Sequence, residues 1–303
     1  MSITRIPWPE LEPTITAECS DRAWIFRGEG HFRVSLTSTF DRFAGAADVN
    51  TEDRWKYEAW MLREFRRRAD RYLNRTEVPE MDNRLEWLSL MRHYGAPCRL
   101  VDFTYSRHVA DYFALREAAK EFARDPNCLE AQGVIFAIDL KELRLQAEKQ
   151  IVNWWNNNNP HYILTAWTGK LDLHRPEMFT KYVFEQSGRK GIAPVTPYRL
   201  NDRITQQQGT FLCPRDISVP FSENLNALDN LDSMMKKWEF KITKTQIKEA
   251  FGKLRSMNIT FASLFPDLSG YAQWLDDACF LLHVPGEYLD NLTAAITYGA
   301  DPI

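Results

Sequence analysis

Between Asp82 and Phe122 the chain must end one helix, cross the protein and start another, and nothing else in the sequence limits the fold so tightly. Asp82 to His93 and Ser106 to Phe122 both read as helices, and Gly95-Ala96-Pro97 breaks the first, because the residue before a proline is pushed out of helical geometry. Cys98 to Phe103 then becomes an extended, partly buried crossing, with Ser106 placed to cap the next helix. Alternation along that crossing puts Cys98, Leu100, Asp102 and Thr104 on one face and Arg99, Val101 and Phe103 on the other. Arg99 and Asp102 therefore need partners from elsewhere, since a buried charge without one is costly.

Ala23 to Phe26 is an apolar run ending at Arg27-Gly28, the pattern of a buried strand that delivers a charged side chain. Gly28 lets a ligand or another backbone come close. Arg27 reads either as a structural arginine, with Asp102 the economical partner, or as a ligand-binding one. A helix is expected over Thr51 to Leu73, and a central strand over Gly133 to Ile138, with Asp139 at its end. Further strands are expected near Phe179 to Phe184, over Ile192 to Tyr198 and at Phe211-Leu212.

Thr243 and Gln246 form a capping box ahead of a helix that carries Ile247, Ala250, Phe251 and Leu254 on one face, and Asn258 to Leu268 closes the helical end. Residues 1–20, with Pro7, Pro9 and Pro13, read as an extended lead-in. The asparagine-rich stretch Asn153 to Asn159 reads as a loop, in which Trp154-Trp155 is a core anchor or a platform for a base. Helices first and strands later give an α+β order. With no repeat and no flexible linker, one domain over 21–303 with a helical insertion around 51–93 is expected.

A formal charge of −3 provides no general attraction to nucleic acid, so such a partner needs a local patch. Arg63, Arg66, Arg67, Arg68, Arg71 and Arg75 offer one, opposite a stripe of Trp60, Met61, Phe65 and Tyr72; such a run is either a solvated face or a phosphate contact. Five scattered cysteines without a C-x-x-C pair fit a reducing compartment rather than a disulfide framework or zinc site. The absence of a signal pattern and of any long apolar run points to a cytoplasmic, membrane-free protein. P-loop, zincin, hydrolase-elbow and dinucleotide fingerprints are missing, and His93 and His108 are not spaced as a metal pair, so no metal site is expected.

Three segments carry a family likeness. Phe26-Arg27-Gly28, His93-Tyr94-Gly95-Ala96-Pro97-Cys98-Arg99-Leu100-Val101-Asp102-Phe103-Thr104 and Arg203 to Phe211 resemble, in order, motifs of the FRG domain family. Val109 to Leu115 and Ile259 to Leu268 are similar to its following helix and its closing segment. The chain departs from the pattern at Arg92 for Gln, Cys98 for Thr, Val101 for Leu and Phe103 for Trp.

The family's order of parts is similar to that of ADP-ribosyltransferases, a likeness at the level of fold. It implies a mixed sheet core of that type and NAD as substrate. Arg27 would grip phosphate, His93, Tyr94 and Thr104 would line the nicotinamide pocket, and Gly28 and Arg99 would complete the cofactor set. Gln207 would stand where those enzymes place a glutamate, with Asp102 the nearest substitute carboxylate. The resemblance points to a nucleotide-dependent transferase or NAD-cleaving enzyme, as a toxin or phage-defence effector. The alternatives are a non-catalytic module sensing a nucleotide or nucleic-acid end, and a nuclease in which Asp102 and other carboxylates collect magnesium.

Overall fold

Alternating apolar positions build the sheet at the centre of the structure, a computed structural model that describes residues 3–30, 36–125, 127–158, 172–185 and 188–281. Its strands are β1 (Ile3–Pro7), β2 (Trp24–Glu29), β3 (Val101–Thr104), β4 (Glu130–Asp139), β5 (Ile192–Val195), β6 (Gly209–Pro214) and β7 (Met235–Thr243). They lie in the order β1-β7-β4-β2-β3-β6-β5, antiparallel throughout except for the β1–β7 pair.

The first helices are α1 (Trp8–Glu18), α2 (Thr39–Ala46), α3 (Arg54–Ala69), α4 (Arg84–His93), α5 (Arg107–Arg124), α6 (Leu140–Asn158) and α7 (Pro176–Phe179), the last running into a π-helical turn over Thr180–Phe184. Then come α8 (Asp202–Gln206), α9 (Phe221–Asn226), α10 (Leu231–Met234), α11 (Lys244–Ser256), α12 (Phe261–Leu264) and α13 (Leu268–Leu281). A mixed sheet with helices on both faces makes this an α+β protein.

β4 shows how the core divides. Ala131, Ile135 and Ala137 pack with α5, β7 and α11, while Val134, Phe136 and Ile138 meet Val101, Phe103 and Leu212 on the other side. Helix α5 lies against β2 so closely that a Cβ added at Gly28 would stand 1.8 Å from the Ala110 carbonyl oxygen. Gly28 thus serves a helix-to-strand approach. Ser106 caps α5 by accepting from the Val109 N–H, and Thr243 and Gln246 form the expected capping box on α11.

Three expectations fail on local physics. The described part of the expected extended lead-in is folded: residues 3–18 form edge strand β1 and then α1, where Pro9 sits in the first turn and burial of Leu11 and Ile15 outweighs the bond lost at Pro13. Phe179 to Phe184 is helical, because Phe179, Tyr182 and Val183 recur at helical spacing and are all buried. Asn153 to Asn158 continues α6, with Trp154 and Trp155 packed edge-on against Tyr182; Asn159 lies outside the described residues.

On α3 the inward face is Arg54, Glu58, Leu62 and Ala69, whereas Trp60, and Tyr72 in the turn beyond the helix, are exposed. Glu58 takes the place that an apolar stripe would fill, because Arg99 reaches it. The arginines of this helix are partly committed: Arg67 and Arg68 pair with Glu64, and Arg66 donates to the Met81 carbonyl and lies over Trp87. No helix among the described residues is long and apolar enough to cross a membrane.

Candidate functional site

The ladder between β2 and β3 consists of a single residue pair, Phe26 with Thr104. Beyond it the strands part, and the Arg27 side chain enters the opening. Its Nη1 donates to the Asp102 carbonyl oxygen at 2.8 Å and lies 3.6 Å from the Asp102 carboxylate, while its Nε donates to Glu29 at 2.8 Å. The expected Arg27–Asp102 pair therefore exists, but in an open cleft of about 310 Å³ rather than sealed in the core.

Asp102 has a closer partner. Arg92, from the last turn of α4, donates to its carboxylate through Nε at 2.7 Å and through Nη2. Arg203, from α8, also faces it, while donating from Nη1 to the His93 carbonyl oxygen at 2.8 Å and stacking over Phe265. Although burial works against the charge, Arg92 foremost, then Arg27 and Arg203, hold the Asp102 carboxyl down at about 2. Burial lowers the Arg203 guanidinium below the usual arginine value; Asp102 opposes that shift and Arg92 adds to it. Arg27, Arg42, Arg92 and Arg203 line the cleft against Glu29, Asp102 and Glu117, four guanidinium groups to three carboxylates.

Gln207 closes the cleft from the end of α8. Its side-chain amide donates to the Leu264 carbonyl oxygen at 3.1 Å, so Oε1 is left to accept a bond from a ligand. Thr104 lines the same space, but its hydroxyl is spent, donating to the Gln207 carbonyl at 2.7 Å and accepting from the Ser106 N–H at 2.9 Å. Gly28 lines it through backbone only, its α-carbon turned to α5.

The other residues singled out in the sequence lie elsewhere. Arg99 is 1% exposed and does not reach the cleft: Nε donates to Glu58 at 2.6 Å, Nη2 also bonds Glu58, Nη1 donates to the Pro214 carbonyl, and Phe184 lies beneath the guanidinium. Alternation placed it opposite Asp102, and that side of the crossing is closed. His93 and Tyr94 line a separate, larger hollow on the far side of Arg203. Burial, and next the Arg203 charge, lower the His93 imidazole below its ordinary value, which favours the neutral ring.

Sequence reasoning missed Glu29, Arg42, Phe113 and Glu117, all of which line the cleft. Glu29 stands two residues after Arg27 on the same strand face, a signal that strand periodicity offers. Glu117 is brought in by α5 beside Gly30, and no local pattern marks it. Among the described residues no three His, Cys, Asp or Glu side chains are placed to hold a metal ion.

Residues 22–122 match the family model of the FRG domain. The matched segment carries Arg27, Arg92 and Asp102; Arg203 and Gln207 join the cleft from beyond it. No curated protein and no solved structure matches the chain.

Proposed function

For a chain that carries an FRG domain, we propose that this cleft binds a nucleotide through its phosphates, with NAD the leading candidate and an ADP-ribosyltransferase-like core around it. The observation that carries the reading is the surplus of guanidinium: Arg27, Arg92 and Arg203 converge on one carboxylate. Each still has unused N–H groups among the described residues, and charge-assisted bonds from arginine suit the forked geometry of a phosphate. The volume lies at the small end of ligand sites and suits about half of a dinucleotide.

Residues for the rest of such a ligand are at hand. Gln207 Oε1 is an acceptor for a ribose hydroxyl, and Phe113 gives one wall an apolar face. Cleavage of the nicotinamide glycosidic bond asks more, because a developing positive charge needs an uncompensated carboxylate. Asp102 is neutralised by Arg92 and Arg27, Glu29 is bonded by Arg27, Glu117 is paired with Lys120, and Gln207 is uncharged. The same cleft therefore also supports a second reading, a nucleotide-sensing module without turnover, and this observation favours it over rapid catalysis.

Labelled NAD separates the two. Nicotinamide release lost in Arg27→Ala and Gln207→Ala would establish the transferase or hydrolase reading. Binding lost in Arg27→Ala, with no release from the unaltered protein, would establish the sensor. NAD, ADP-ribose and ATP that all fail to bind at millimolar concentration would refute the nucleotide reading.

A further inference from the structure

Arg203 stands between two spaces. On one side is the guanidinium-rich cleft; on the other, past a gap of about 20 Å³ lined by Arg92, His93, Asp102 and Gln207, is a hollow of about 860 Å³. The charges reverse across that gap. The hollow is lined by Glu77, Glu86, Asp202 and Asp267 against Arg199 and Arg203, and Arg199 is already paired with Glu86 at 3.5 Å. Glu77 and Asp267 accept only backbone bonds, from Asn74 and Gly270, and neither they nor Asp202 pairs with a cation among the described residues.

Two polar groups of α4 point the same way. Ser89 is 4% exposed, lines both the hollow and the gap, and makes no side-chain hydrogen bond among the described residues. His93 Nδ1 is buried and likewise unbonded. With Glu86 they occupy one face of the helix, at i, i+3 and i+7. A buried ring nitrogen without a partner costs stability, and the unbonded Ser89 hydroxyl that lines the hollow is free to bond a ligand.

At the mouth, Tyr94 is 58% exposed and meets His93 edge-on, with ring centroids 4.6 Å apart, which leaves a ring face bare. The charges of Glu77 and Asp267 reach that ring: after burial, they are what raises the Tyr94 hydroxyl above its ordinary value. An aromatic face flanked by carboxylates is a seat for a cation, and the exposed Leu200 and Leu268 beside it suit the methylene stem of a long side chain.

We infer that the hollow holds an arginine or lysine side chain of a protein substrate, its head group against Tyr94, Glu77 and Asp267, its donors turned to Ser89 and His93. As an acceptor's seat beside the nucleotide this rests on the nucleotide reading; as a cation site it stands alone.

The test is a fluorescence anisotropy titration of the full chain with a short arginine-bearing peptide and with the same peptide carrying citrulline. The arginine peptide should bind, the citrulline peptide about tenfold more weakly, and the difference should vanish in Tyr94→Leu and in Glu77→Gln/Asp267→Asn. The Asp267→Asn change keeps a side-chain oxygen for the Gly270 N–H, so that variant tests charge rather than folding. Equal binding of both peptides, or unchanged discrimination in the carboxylate variant, would overturn the inference. NAD titrated in parallel keeps the two ideas apart: discrimination without NAD binding refutes the nucleotide reading and leaves the cation site standing. NAD affinity that falls in the carboxylate variant while peptide binding holds gives the hollow to the nucleotide and ends the proposal.

Discussion

Replacing Glu58 by glutamine should destabilise the protein without touching the cleft. Glu58 and Arg99 are buried to 3% and 2% side-chain exposure, and two guanidinium nitrogens bond the carboxylate. Glutamine preserves the shape and one accepting oxygen, but it removes the counter-charge and sets an NH2 donor against a guanidinium N–H, which leaves Arg99 a buried charge without a carboxylate. Breaking such a pair from one side costs about 3–5 kcal/mol. With an unfolding entropy of about 2.1 cal/mol/K per residue over 303 residues, that corresponds to a fall in melting temperature of about 5–8 °C.

Scanning calorimetry measures the drop, and a second variant, Glu58→Met with Arg99→Met, removes both charges and should recover most of it. Both variants should bind nucleotide as the unaltered protein does. A Glu58→Gln protein that melts within about 1 °C of the original would show that the Glu58–Arg99 pair does not hold the fold. Loss of nucleotide binding in a stable double variant would return Arg99 to the ligand.

Two further outcomes follow from the same geometry. Gly28→Ala drives a methyl group into the Ala110 carbonyl, so chemical denaturation should show a loss of about 3 kcal/mol or more, with a near-neutral result contradicting the close approach of α5. Asp102 is held near 2 in the folded protein against an ordinary value near 4 when unfolded, so its stabilisation is complete above about pH 4 and disappears as pH falls through about 2. Acid unfolding of Asp102→Asn should lack that part of the slope; an identical acid limb would contradict the three-arginine environment.

What the sequence disclosed was governed by local pattern. The Gly95-Ala96-Pro97 break, the alternation that separates Arg99 from Asp102, and the caps at Ser106 and Thr243 are written in adjacent residues, and the structure follows them. The failures came where a tertiary neighbour decides. Asparagines after Trp154 look like a turn, yet the tryptophans find Tyr182 and hold α6 together. At Phe179 to Phe184 burial follows a helical period and not the alternation of the expected strand.

In the site, Arg27, Asp102 and Gln207 do converge, but their true environment was hidden because Arg92 looked like a mere departure from a motif. It is the strongest partner Asp102 has. Tyr94, adjacent in sequence to the residues of the cleft, faces another space because α4 ends there and turns it outward.

The cleft should admit an anion between Arg27 and Arg203, and a crystal structure with ADP-ribose tests this directly. The pyrophosphate is predicted within hydrogen-bonding distance of Arg27 and Arg203, with a ribose hydroxyl at Gln207 Oε1. ADP-ribose bound elsewhere, or a cleft without ligand density at saturating concentration, would contradict it.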